Sequence, residues 1–335
     1  MGGGGSFYNR DTTDKDRITS GGYSDLAEEK LSRSNINKAV LPENRKIVST
    51  CKSPLVYAFD VTGSMGDLPK IIWDKMPMIA GQIKMQKYLD DTMISLSAIG
   101  DVISDRAPIQ ICDFSKLKSL DEWLERLWLE SRGGGQGKES YEFTAYFYAR
   151  LYDMQNAKTP IFLFTGDEGF REQLPAKELE EHFGGKHETV SAENVFKELK
   201  NKFKNNVFLI HKTYGDERED EFIIKQWQKV LGEENVILLK NKLAIADVTL
   251  GVIAIASGAK TLDEYIKDVK NRPLEMSGVK YEPQTPERSK EVRESLKFFA
   301  ESRNKAGKKV SNKNSSSQNK TNNKAKNTPK KEWQL

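Results

Sequence analysis

From Pro54 to about Asp268 the chain alternates short apolar runs with stretches of helical periodicity. Leu55-Val56-Tyr57-Ala58-Phe59 is apolar on both faces and ends at Asp60, the pattern of a buried strand. Leu68 to Tyr88 reads as a helix despite Pro77. Ile94 to Ile99 and Ile109 to Phe114 read as two further strands. A short helix is predicted over Leu120 to Glu130 and another over Ser140 to Met154. Strands over 161–164, 207–210 and 236–239 then alternate with helices over 195–204, 222–231 and 244–257.

Strands that are apolar on both faces need cover on both sides, which helices between successive parallel strands supply. The expected fold is therefore α/β, a doubly wound, Rossmann-like and mostly parallel sheet. The expected organisation is a Gly-rich flexible arm over residues 1–51, the α/β domain over 52–260, a polar and partly helical extension over 261–301, and a disordered basic tail over 302–335. The tail holds ten Lys/Arg against one Glu, whereas the whole chain carries only +4. The body is thus mildly acidic, and the basic balance belongs to the end.

Two cysteines, Cys51 and Cys112, are too few for a disulfide scaffold, and both are expected to remain thiols. Three histidines, His182, His187 and His211, argue against a histidine-rich zinc site. No apolar run is long enough to span a membrane, and the start lacks the apolar core of a signal peptide. A cytoplasmic location is expected. The opening Met1-Gly2-Gly3-Gly4-Gly5-Ser6 matches the loose myristoylation pattern and equally a flexible arm. Trp123 and Trp128 are expected in the core or at a subunit contact, and His211, following Ile210, as a structural histidine.

The informative segment is Phe59-Asp60-Val61-Thr62-Gly63-Ser64-Met65. Side-chain oxygens at i, i+2 and i+4 follow directly on a buried strand, and ligands of open α/β sheets bind beyond the carboxyl ends of strands. Hard oxygens on one tight loop suit Mg²⁺ or a similar cation. Gly63 is expected to let the loop turn sharply. The same residue types also build ordinary turns. Two enzyme readings fail on the residues. A phosphatase using Asp60 as nucleophile would place a second Asp where Thr62 stands. The stretch Gly133 to Ser140 departs from a phosphate loop at Arg132 and Glu139. No enzyme is expected, a metal-dependent phosphoesterase being the residual alternative.

Asp60-Val61-Thr62-Gly63-Ser64 resembles the Asp-x-Ser/Thr-x-Ser signature of von Willebrand factor A (vWA) domains, whose metal site is called the metal-ion-dependent adhesion site. The resemblance covers about residues 52–260. It implies a six-stranded sheet with one antiparallel edge strand and a Mg²⁺ or Mn²⁺ site, with Thr62 and Ser64 as direct ligands and Asp60 acting through water. The family supplies a Thr from a Gly-rich loop; here that stretch offers Ser140, or Glu139 in its place. It also supplies an Asp after the fourth strand. Here the segment reads Thr165-Gly166-Asp167-Glu168-Gly169, with an extra Gly, and offers Asp167 or, as fallback, Glu168. The chain further resembles a group of bacterial intracellular A-domain proteins that share the Glu139-Ser140-Tyr141-Glu142 segment. Following the chain up and down the sheet brings all three segments to one face, with Asp101 and Asp105 on its rim.

The function expected from the resemblance is protein–protein interaction, with a partner's Asp or Glu completing the metal's coordination. The alternative is a nucleic-acid-associated scaffold whose basic tail makes salt-sensitive phosphate contacts.

Overall fold

The computed structural model describes residues 36–116, 119–129, 138–272, 275–276, 279–280 and 284–324, the last nineteen of these by backbone alone. Strands β1 (Ile47–Ser49) and β2 (Ser53–Asp60) are followed by helix α1 (Leu68–Met85) and strands β3 (Thr92–Ile99) and β4 (Ile109–Ile111). Next come α2 (Leu120–Leu124), α3 (Tyr141–Arg150), β5 (Tyr152–Met154), β6 (Ile161–Gly166) and β7 (Gln173–Leu174). Then follow α4 (Ala176–Phe183), β8 (Val190–Ser191), α5 (Ala192–Lys202), β9 (Val207–Lys212) and α6 (Glu217–Leu231). The chain continues through β10 (Val236–Leu239), α7 (Ile245–Ala256), α8 (Leu262–Lys270) and α9 (Pro286–Lys324).

Six strands form one sheet in the order β10-β9-β6-β2-β3-β4. All neighbouring pairs are parallel except β3 with β4, so β4 is an antiparallel edge. Alternate residues of each strand serve different cores, as a period of two requires. Leu55, Tyr57 and Phe59 of β2 pack with α1, α7, α8 and α9. Val56 and Ala58 face α3, α5 and α6. The result is a mostly parallel sheet covered by helices on both faces.

The structure departs from the sequence expectation in several places. The helix from Ser140 ends at Arg150, because Tyr152–Met154 pairs in parallel with Ile47–Ser49. That pairing, with Val40 and Ile47 both buried, makes the last part of the expected arm an integral piece of the domain. Residues 1–35, the myristoylation pattern included, lie outside the described residues. The helix from Leu120 stops at Leu124, whose carbonyl accepts from Trp73 Nε1 at 3.1 Å. Trp123 packs against the core beneath the Arg126 guanidinium, and Trp128 exchanges two backbone hydrogen bonds with the Gln110 amide. His211 is a buried structural histidine, its Nε2 2.9 Å from Asp220 Oδ1.

The extension is the largest difference. Tyr265, Ile266 and Val269 of α8 and Val292, Leu296 and Phe299 of α9 are all buried in the core shared with α7. Gly251 of α7 allows this approach: a Cβ there would lie 2.2 Å from Leu296 Cδ1 and 2.7 Å from Tyr265 Cε1. A buried ion pair joins Arg272 to Asp247, and Tyr265 donates its hydroxyl to the Asp247 carbonyl. Helix α9 then runs on to Lys324, well into the segment expected to be disordered; no proline lies between 287 and 328 to stop it. Residues 325–335 lie outside the described residues. Cys51 and Cys112 are both buried free thiols. Among the described residues no helix is long and apolar enough to cross a membrane.

Candidate functional site

Asp60 is the last residue of β2, the central strand between β3 and β6, and its side chain is fully buried. Beyond it Thr62 starts a short 3₁₀ turn, Gly63–Met65. The residue that takes the left-handed conformation here is Gly66, at φ 59°, and not Gly63. Gly66 closes the turn by donating its N–H to the Gly63 carbonyl at 3.1 Å.

The turn folds the motif's oxygens onto one another. Asp60 Oδ1 accepts from Thr62 N at 2.8 Å and from Thr62 Oγ1 at 2.6 Å. The Thr62 and Ser64 hydroxyl oxygens are 3.3 Å apart. Ser64 Oγ donates to Asp167 Oδ1 at 2.9 Å. Asp167 follows β6, which pairs with β2 along its length, so strand register alone brings the two carboxylates to the same edge. Four of the five residues expected from the sequence therefore form one continuous chain of polar contacts.

The fifth does not join it. Ser140 is buried at the start of α3, where its N–H donates to the Gly100 carbonyl at 3.0 Å and its Oγ accepts from Val102 N at 2.9 Å. Its hydroxyl thus holds the loop after β3. Glu139, the alternative, is the residue that faces the acidic group. It is only 3% exposed, and its Oε2 has no hydrogen-bond partner among the described residues. Burial, then the Asp60, Asp105, Asp101 and Glu168 carboxylates, push it up to about 10. Asp60 is raised to about 7 by burial and by Asp167, against the donors from Thr62 and Tyr141. Glu168 also rises to about 7, through burial and then Asp167.

Two functional-site residues were not legible from the sequence. Tyr141 donates its hydroxyl to Asp60 Oδ2 at 2.8 Å. The extra Gly166 before Asp167 makes room for it: a Cβ at Gly166 would lie 1.7 Å from the Tyr141 hydroxyl. Lys212 ends β9 and donates to Asp167 Oδ2 at 2.7 Å and to the Ser64 carbonyl at 2.8 Å. The available signal was position, since a residue closing a parallel strand next to β6 must reach the same edge.

Over this edge lies a cleft of about 530 Å³, lined among others by Ser64, Glu139, Glu168, Tyr214 and Phe222. The donor set beneath it consists of hard oxygens, carboxylate and hydroxyl, with more buried negative charge than Lys212 alone offsets. That chemistry, with the unpartnered Glu139 oxygen, fits a divalent cation. Among the described residues no group of three or more His, Cys, Asp or Glu side chains is disposed to hold a metal ion. The fit thus depends on the Thr62 and Ser64 hydroxyls acting beside the carboxylates.

No family model matches the chain, and no curated protein matches it. Among solved structures, the pilus adhesin SpaC from Lactobacillus rhamnosus GG in its open conformation is 9% identical, with a TM-score of 0.42 over 64% of this chain and 31% of that one. A second crystal form of the same adhesin is 10% identical, with a TM-score of 0.40 over 63% and 32%. The chain spans about a third of that adhesin's length. What its own residues define is an α/β protein with a helix-covered, mostly parallel sheet and a buried oxygen-rich cluster at the carboxyl ends of β2 and β6.

Proposed function

We propose that the chain carries a vWA-type domain that binds one Mg²⁺ or Mn²⁺ ion and uses it to capture an Asp or Glu of a protein partner. The observation that carries this reading is the contact chain Asp60–Thr62–Ser64–Asp167 beneath an open cleft. Thr62 and Ser64 would offer their hydroxyls, Asp60 and Asp167 their carboxylates. Glu139 rather than Ser140 would supply the remaining oxygen. When bound, a divalent ion supplies a positive centre for a carboxylate. The protein's own part is to hold the oxygens in place. Tyr141 and Thr62 N orient Asp60, and Ser64 orients Asp167. Lys212 must release Asp167 Oδ2 before that oxygen can serve.

Calorimetric titration with Mn²⁺ tests the site. Wild type should bind and Asp60→Ala should not. The variant strands the Thr62 and Tyr141 donors, at about 1–3 kcal/mol for a buried unsatisfied group, but removes a desolvated carboxylate beside Asp167. Its melting temperature should therefore change little. Pull-down of the partner should fall with the same substitution and with chelator. Unchanged Mn²⁺ affinity in Asp60→Ala defeats the site. Metal loss with full partner capture defeats the mechanism and spares the site.

A further inference from the structure

The cleft beside Ser64 carries chemistry beyond that of a metal-held carboxylate, with Glu139 the one carboxylate common to both. Its walls come from the segment after β6 and from α6. Glu219, Phe222 and Gln226 lie on α6 at i, i+3 and i+7, so they form one face along the cleft. Phe222 is 69% exposed and Tyr214 45% exposed, high values for two large rings that line one cleft. Glu139 and Glu168 line the same cleft. Among the described residues Glu168 and Glu219 make no salt bridge, and the buried Glu139 Oε2 has no hydrogen-bond partner. Among the described residues, the one cationic side chain that lines the cleft is Lys138. Lys212, nearby, is committed to Asp167 and the Ser64 carbonyl, and its Nζ lies 5.7 Å from the Tyr214 ring centroid, leaving Phe222 as the ring without a cation among the described residues.

We propose that this cleft receives a basic side chain, a guanidinium or ammonium group, of a protein partner, with Glu139, Glu168 and Glu219 as acceptors and Tyr214 and Phe222 as aromatic walls. Glu168 and Glu219, set against one lysine among the described residues, give the charge complementarity, and Glu139 adds its unpaired oxygen. The exposed ring faces supply cation–π attraction and cover for the aliphatic stem. A buried acceptor without a donor is costly, and a multi-donor cation relieves it. Guanidinium suits the arrangement best, because its donors fan out in a plane toward several separate oxygens. A second metal ion suits it less well, since no group of three acidic side chains among the described residues is disposed to hold one. The inference rests on the preceding reading only in taking the partner to be a protein. The cleft itself needs no metal.

The test uses the full chain in the presence of chelator, with the tripeptide acetyl-Gly-Arg-Gly-amide as probe. Amide NMR shifts follow the titration, with Leu and Glu tripeptides run alongside. The arginine peptide should bind saturably, shifting the amides of Glu168, Tyr214 and Phe222, and the other two should not. Glu168→Gln with Glu219→Gln should weaken binding about fivefold, the exposed Glu219 contributing the smaller share. Phe222→Ala should weaken it about threefold. Equal binding of the leucine or glutamate peptide, or unchanged affinity in the double glutamine variant, overturns the proposal. So does a cleft that takes Mn²⁺ through Glu168 and Glu219 and ignores the arginine peptide. Loss of the Asp60 metal site leaves this titration unaffected, so the two readings fail separately.

Discussion

The Lys212 ammonium sits 2.7 Å from Asp167 Oδ2, on the carboxylate that Ser64 holds by its other oxygen. Lys212 thus places a tethered cation where a metal would draw on the same group. Lys212→Met should raise Mn²⁺ affinity about tenfold. A charge-assisted hydrogen bond is worth roughly 1.5–3 kcal/mol, and about 1.4 kcal/mol is a factor of ten. Calorimetry on the two proteins gives the answer. Weaker binding in the variant would mean that Lys212 orders Asp167 rather than competing for it.

Glu139 and Ser140 are neighbours with different tasks. Ser140→Ala removes the acceptor for Val102 N and should lower the melting temperature while leaving Mn²⁺ affinity within about twofold, the loss being that of one hydrogen bond, about 1 kcal/mol. Glu139→Gln should do the reverse, reducing Mn²⁺ affinity and holding or raising stability. Wild-type affinity in both variants would show that neither residue serves the ion.

The acidic cluster sets a pH dependence of definite sign. Asp60 and Glu168 are raised to about 7 and Glu139 to about 10, each first by burial and then by neighbouring carboxylates. Unfolded Asp and Glu titrate near pH 4. Between about pH 4 and 7 the folded protein therefore holds more protons than the unfolded chain, and stability falls as pH rises. For Glu139 the fall continues toward about 10. The melting temperature of chelator-treated protein should decline from pH 5 to pH 8, and Glu139→Gln should flatten that decline. A rising curve over this window would contradict the cluster's electrostatics.

Helices α8 and α9 complete the core, so a fragment of residues 52–260 should be far less stable than one of 36–305. The cut exposes the side of α7 that Tyr265, Leu296 and Phe299 cover, each worth roughly 1.5–3 kcal/mol when buried. In the full chain Leu296→Ala should cost about 2–5 kcal/mol. Urea unfolding of these proteins measures both effects. A fragment 52–260 as stable as 36–305 would mean that the extension merely rests on the domain.

The six strands of the main sheet, most helices between them and the loop Asp60-Val61-Thr62-Gly63-Ser64 were legible in the sequence, whereas β5, β7, α4 and β8 were not. The legible parts are local: apolar periodicity marks the elements, and a turn's residue types declare themselves within five positions. The sequence also narrowed the candidates on the two later loops to Ser140 or Glu139, and to Asp167 or Glu168. The tertiary structure sends the first pair to different neighbours, Ser140 to Val102 N and Glu139 toward the acidic cluster, because adjacent side chains diverge once α3 is docked. Tyr141 and Lys212 were hidden for a related reason: their partners lie 81 and 45 residues away along the chain. The strand Tyr152–Met154 likewise depends on Ile47–Ser49, about a hundred residues earlier, and by itself continues the preceding helical pattern. The extension was partly legible. Val292, Leu296, Phe299 and Ala300 follow helical spacing, but they are diluted among charged neighbours, so the segment's average polarity concealed one buried face.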